Sequence, residues 1–190
     1  QIPDVISRVA DLTANLGQRE RALELMKKAL AAKQGKDALL LNKMGIIAGE
    51  MRDYEKEAKF YEESAKIRQW GAPLFNLALS QQRRGMLKQA LANIEEAIAR
   101  EKEAPHLVLR ALIADAQSDP MTRDEFLQEA MRLFTTPSAM NDWELGWYMT
   151  AAQRTDNKSK MKQAQDEIQR RAQGRQKPAN DGLLPDGGQE

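Results

Sequence analysis

Small and large apolar residues recur along this chain at a fixed interval. Gly45, Ala78 and Ala111 stand 33 positions apart, and so do Leu41, Leu74 and Leu107, then Tyr61, Ile94 and Leu127, then Ala65, Ile98 and Met131. An earlier copy containing Ile6, Ala10, Met26 and Ala29 precedes these columns by about 35 residues. Such a period belongs to stacked helical hairpins, because one hairpin cannot bury its apolar face without a neighbour. The chain is therefore expected to be a binding scaffold rather than an enzyme.

The composition supports helices throughout. Of the 190 residues, 42% are apolar, 30% charged and only 5% aromatic, with strong helix formers dominating. The length suits one domain with a substantial core. Twenty-nine basic against 28 acidic side chains leave a formal charge of +1, too little to draw in nucleic acid or an anionic membrane by a global field. The lack of cysteine excludes disulfides, thiolate metal sites and a Cys nucleophile, and it fits a cytoplasmic or a periplasmic location equally. No apolar run approaches the roughly 20 residues of a membrane-spanning helix, and no signal-peptide pattern opens the chain. Gln1 stands where a Met would begin a native chain, so the expectation is that residues upstream are missing. A signal, an anchor or further repeats are candidates, and any membrane link would run through such an anchor.

Helices are expected over residues 5–16 and 19–32, broken at Gly17, and over 38–51 and 54–68. A third pair spans 73–84 and 87–100, turning at Gly85. A fourth spans 105–117 and 122–134, where Thr122 with Glu125 has capping-box spacing. Glycine serves such turns because it takes positive φ without a Cβ clash. Beyond Pro137 the pattern weakens, yet Leu145, Met161 and Ala164 continue three columns at a spacing of 34 over helices at 141–153 and 158–173. Residues 138–173 thus form a capping hairpin, and 174–190, rich in Gly and Pro, a disordered tail.

These columns resemble the tetratricopeptide repeat. Leu41, Met44-Gly45, Tyr54, Tyr61 and Ala65 follow its pattern loosely; Leu74, Leu77-Ala78, Gly85, Ala90, Ile94 and Ala97 follow it better. Aliphatic residues replace the expected Trp, and the mid-helix Tyr and closing Pro are absent. Other helical-hairpin solenoids share the periodicity. The resemblance implies an all-α, right-handed α-solenoid with repeats at about 3–37, 38–70, 71–103 and 104–136, capped by 138–173.

It also implies a concave groove lined by the first helix of each unit. The positions carried over are Ser7, Asp11 and Asn15, then Asn42, Ile46 and Glu50, then Phe75, Leu79, Gln82 and Arg83, then Val108, Leu112 and Asp115. Ile46, Leu79 and Leu112, flanked by Phe75 and Val108, make an apolar ladder suited to a partner peptide or amphipathic helix. Two readings stand: the ladder is open to a partner, or it packs against neighbouring helices and is covered by the chain's own last helix. The carboxylate clamp of some tetratricopeptide co-chaperones would fall on Ser7, Asp11, Lys43, Ala72 and Asn76, where Asp11 repels an anion and two cations are missing.

The alternative is a nucleic-acid or anionic-membrane binder working through the basic helix at 154–177, which carries Arg154, Lys158, Lys160, Lys162, Arg170, Arg171, Arg175 and Lys177. A capping helix with a solvated face reads the same, and it lacks aromatic residues to stack bases. Trp143 and Trp147 share one helix face and either anchor a partner or close the end of the core. His106 is the single histidine, expected as a surface or capping residue. No nucleophile, metal-ligand spacing or phosphate loop accompanies it. No catalytic, cofactor-binding or metal-binding residue is therefore expected, and no small-molecule substrate. The partner is another protein, and self-association through the open ends of the solenoid stays in view.

Overall fold

A computed structural model describes residues 2–176 of the chain. Ten α-helices follow one another: α1 (Ile2–Asn15), α2 (Arg19–Ala32), α3 (Ala38–Glu50), α4 (Tyr54–Ile67), α5 (Ala72–Arg83), α6 (Leu87–Arg100), α7 (Ala104–Ala116), α8 (Pro120–Leu133), α9 (Asp142–Arg154) and α10 (Lys158–Gln176). A single 3-10 turn at Pro137–Ala139 precedes α9. Successive helices pair as antiparallel hairpins, and each hairpin packs on the next, so the molecule is an all-α solenoid. The expected disordered tail lies outside the described residues from 177 on. Helix α10 runs through Gln176, past the boundary expected at 173.

The recurrent columns are the contact between the two helices of each hairpin. Ala10, Gly45, Ala78 and Ala111 are buried on α1, α3, α5 and α7. Met26, Tyr61, Ile94 and Leu127 are buried on the helices that face them. Their sizes are matched pair by pair. A Cβ on Gly45 would lie 2.5 Å from the Tyr61 ring, so the bulkiest partner in the column is admitted only by glycine.

Left-handed residues close the hairpins, and they are not all glycine. Gly17 and Gly85 have φ of 78° and 75°, but Arg52, Ser118 and Asp156 hold φ of 61°, 61° and 47° at the equivalent turns. In each case the next residue's N–H reaches a carbonyl in the last turn of the helix, as from Asp53 to Ala48 and from Asp119 to Ala114, both 2.9 Å. That bond satisfies an otherwise orphaned carbonyl and holds the backbone left-handed even with a side chain present. The start of α8 also differs from expectation. Asp119, not Thr122, is the cap: its carboxylate accepts the Thr122 N–H at 3.1 Å, and Pro120 fills the first helical position, where no N–H is needed. The capping box falls instead on Asn141 and Glu144 at the head of α9.

The two ends of the array are unlike. At the first, α1 and the residue that follows it present Ile2, Val5, Val9, Leu12 and Leu16 to solvent, each at least 46% exposed. The residues 35 positions later, Leu40, Met44 and Ile47, are buried in a cluster with Leu23 and Met26 of α2. The stripe on α1 is thus a stacking face with no helix upon it among the described residues. At the other end, Met140, Leu145, Tyr148 and Ala164 form a small core of their own under α10. Phe134 meets Tyr148 edge-on at 5.3 Å.

Candidate functional site

The first helices of consecutive hairpins touch one another, α3 with α5, α5 with α7 and α7 with α9, and together they form the face of the stack on which the groove is expected. Helix α9 departs from the regular stacking. Of the preceding hairpin it leans onto α7 more than onto α8, whereas α3, α5 and α7 each lie mainly on the second helix of the hairpin before them. The reason is aromatic: Trp143 and Trp147 meet the Phe75 ring edge-on at 5.6 and 5.4 Å, and His106 lies against the same ring at 5.0 Å. Edge-to-face contacts at these spacings add to the area that the rings bury.

This arrangement divides the expected groove residues. Phe75 and Val108 are buried, at 1% and 0% exposure, rather than flanking an open strip, because α9 roofs them. Leu79 and Leu112 are half-buried and, with Gln82, Trp143 and Trp147, wall a shallow cleft of about 480 Å³. Ile46 alone of the ladder is well exposed, at 43%. Asn42 is buried and accepts a 3.1 Å hydrogen bond from the Asn76 amide, which ties α3 to α5. Asp115 accepts from Arg123 at 3.1 Å and from Arg154 at 2.5 Å, which spends its charge on joining α7, α8 and α9. Asp11 pairs with Lys43 at 2.6 Å, so the lysine of the sequence-derived carboxylate clamp is already neutralised.

A second cleft of about 410 Å³ opens between α3, α4 and α5, walled by Ile46, Gly49, Glu50, Tyr54, Glu57, Tyr61, Asn76, Leu79, Ser80, Arg83 and Arg84. It brings together four of the expected residues, Ile46, Glu50, Leu79 and Arg83. It also adds residues that sequence reasoning left out, Glu57 above all. Glu57 is only 5% exposed, and its carboxylate accepts the Ser80 hydroxyl at 2.7 Å. Burial raises its pKa, while the Ser80 hydrogen bond and the fields of Arg84 and Arg83 pull the other way. Burial likewise raises that of the Tyr61 phenol, helped by the nearby Glu57 and Glu50 charges. Arg84 stacks over Tyr54, 4.2 Å from the ring centre. The signal in the sequence was a broken column: Ala22, Glu57 and Ala90 stand 35 and 33 apart, and the middle member is charged.

His106 is 1% exposed, not a surface residue. Its Nδ1 lies 2.7 Å from the Glu101 carbonyl at the end of α6, and the ring fills space beside Gly71. Among the described residues no cluster of His, Asp or Glu could hold a metal ion, and no helix is long and apolar enough to cross a membrane.

Solved structures share this arrangement. MamA from Desulfovibrio magneticus RS-1, residues 41 to the end, matches with a TM-score of 0.62 at 18% identity, covering 90% of this chain and 93% of that one. Pseudomonas aeruginosa PilF matches at 0.64 and 16% identity, over 90% of this chain and 77% of that one. A tetratricopeptide repeat protein from Parabacteroides merdae matches at 0.63 and 13% identity, over 90% and 67%. The fold is tetratricopeptide-like. No family profile matches the chain, and no curated protein matches it in sequence. At these identities the likeness is one of backbone.

Proposed function

We propose that the chain is a noncatalytic protein–protein interaction scaffold that takes a partner peptide or amphipathic helix on its groove face. The occupied part is the cleft between α3, α4 and α5, with Ile46, Glu50, Leu79 and Arg83 in contact with the partner. One observation carries this reading: the cleft stays open and Ile46 stays exposed, while the flanking Phe75 and Val108 lie buried under α9. An exposed apolar residue at the mouth of a polar-rimmed cleft is what a helix or extended peptide docks against. Gln82, Leu112 and the two tryptophans form the margin of the same surface.

The test is capture of partners by crosslinking from native lysate, with wild type beside Ile46→Glu. Ile46 is exposed enough that the substitution should change stability by no more than about 0.5 kcal/mol. The scaffold reading expects a subset of partners to be lost with the variant while its melting curve is unchanged. An identical partner set for both proteins would remove the groove from consideration. The alternative through α10 draws little support from its charges. Arg170 and Arg171 lie on Glu167, Arg171 and Arg175 on Asp142, and Arg154 on Asp115, so few cations remain for phosphates.

A further inference from the structure

The α3–α5 cleft contains a charge that the fold does not need. In the second-helix column Ala22 and Ala90 are fully buried small residues, and Glu57 stands in their place. Its bulk is admitted by a second irregularity, Gly49, since a Cβ there would strike the Glu57 carboxylate. The positions equivalent to Gly49 in the other hairpins are Ala14, Gln82, Asp115 and Met149, so glycine occurs only where the glutamate must fit. A buried carboxylate ordinarily has a cation beside it. Glu57 has only the neutral Ser80 hydroxyl, and no lysine or arginine pairs with it among the described residues. Arg123, the charged member of the same column one hairpin further on, is by contrast bonded to Asp115 and Asp124.

A second buried polar group shares the pocket. The Tyr61 hydroxyl, on a side chain 3% exposed, makes no hydrogen bond among the described residues, and it lines the cleft one helical turn from Glu57. Asn76 spends its amide nitrogen on Asn42 and leaves its carbonyl oxygen to accept. Ile46 and Leu79 supply apolar walls above these acceptors. Acceptors at the floor and aliphatic walls at the mouth suit a long cationic side chain, whose methylenes lie on apolar surface while its head is hydrogen-bonded.

We propose that this pocket seats a lysine or arginine side chain of the bound partner, with Glu57 as its counter-ion and Tyr61 and Asn76 as further acceptors. The proposal rests on the scaffold reading above and specifies what the groove recognises. The other charges facing the pocket come from α3 and from the C-terminal end of α5. Glu50 on α3 is engaged by Arg19 at 2.5 Å, Arg84, which caps α5, is stacked on Tyr54, and Arg83 on α5 is exposed at the rim. Arg83 and Arg84 lie at the exposed rim, where solvent weakens their fields, whereas Glu57 is the charge at the floor, where a guest's head group would end.

The experiment uses the full chain, labelled with 15N, and three probes: N-acetyl-lysine methylamide, N-acetyl-arginine methylamide and the neutral N-acetyl-norleucine methylamide. The cationic probes should shift the amide resonances of Gly49, Glu57 and Ser80 at millimolar concentration, and norleucine should not. Glu57→Gln should weaken the cationic response about tenfold or more. Glu57→Ala, which installs the residue of the neighbouring columns, supplies the same comparison if the glutamine variant fails to fold. Acidification that protonates Glu57 should abolish the response in wild type. Equal shifts from norleucine, no shift from any probe, or cation binding that survives loss of the carboxylate would each overturn the proposal. Partner capture that remains sensitive to Ile46→Glu would in that case leave the scaffold reading intact, and capture insensitive to it would remove that reading instead.

Discussion

Replacing Gly45 by Ala should destabilise the protein, although alanine is the better helix former. Taken alone, the backbone change in mid-helix favours Ala by about 0.5–1 kcal/mol. Against this, the new methyl would lie 2.5, 2.7 and 3.0 Å from three atoms of the Tyr61 ring, well inside ordinary carbon contact at about 3.5–4.0 Å. Tyr61 is 3% exposed and has little room to retreat. Overpacking of this kind costs about 1–3 kcal/mol, so the net loss should be about 1–2 kcal/mol. Tyr61→Ile should cost about 2 kcal/mol through the cavity it leaves, with no hydrogen bond forfeited. The double variant Gly45→Ala with Tyr61→Ile transplants the Ala78–Ile94 pair into the preceding hairpin, where the methyl enters the vacated ring space. It should therefore be more stable than the sum of the singles by about 1–2 kcal/mol. Urea denaturation read by circular dichroism measures all four proteins, with an unchanged m-value as the check on two-state comparison. Additive losses, or a stabilised Gly45→Ala, would refute the claim that the repeat columns are size-matched contacts.

The left-handed turns give an independent check: Arg52→Gly and Ser118→Gly should each raise stability by up to about 1 kcal/mol in thermal melts, because both side chains sit at φ of 61°. The cap at the second end should be acid-sensitive. Hydrogen bonds from Arg170 and Arg171 hold the Glu167 carboxyl at about 2, below the ordinary glutamate value near 4.5. A carboxylate depressed in the folded state stabilises above its unfolded value and loses that contribution as pH falls towards its folded one. Amide protection in α9 and α10, taken relative to the unstructured exchange rate at each pH, should fall as pH drops from about 4.5 to about 2, and Glu167→Gln should flatten that dependence. On the uncovered face of α1, Leu12→Gln should move the melting temperature by no more than a degree or two, whereas Met44→Gln, at the buried position of the next face, should lower it severely.

Much of the helical layout could be read from pattern. Helices α2 and α6 begin and end where periodicity puts them, because their apolar residues follow a 3.6-residue rhythm between clear turn signals. Misreadings occurred where a local signal had a rival. Thr122 and Glu125 have capping-box spacing, yet Asp119 before Pro120 is the stronger start. His106 looked superficial beside Pro105, but the column it occupies faces inward against Phe75. For the groove, the family resemblance placed Phe75 and Val108 beside the ladder, and it could not say what lies over them.

The repeat period and the sizes of its column residues determined by themselves that this chain stacks helical hairpins, since burying each apolar face leaves little choice of partner. Tertiary structure alone decided which part of the groove stays open. Trp143 and Trp147 lie 68 and 72 residues beyond Phe75, and their choice of that ring depends on how α9 settles on α7. The same holds for the buried charge: a glutamate among alanines is visible in the column, but that no cation pairs with it is decided only once α3, α4 and α5 have closed around it. Periodicity encodes contacts between neighbouring repeats because they recur, whereas a contact made once, between distant helices, leaves no period to read.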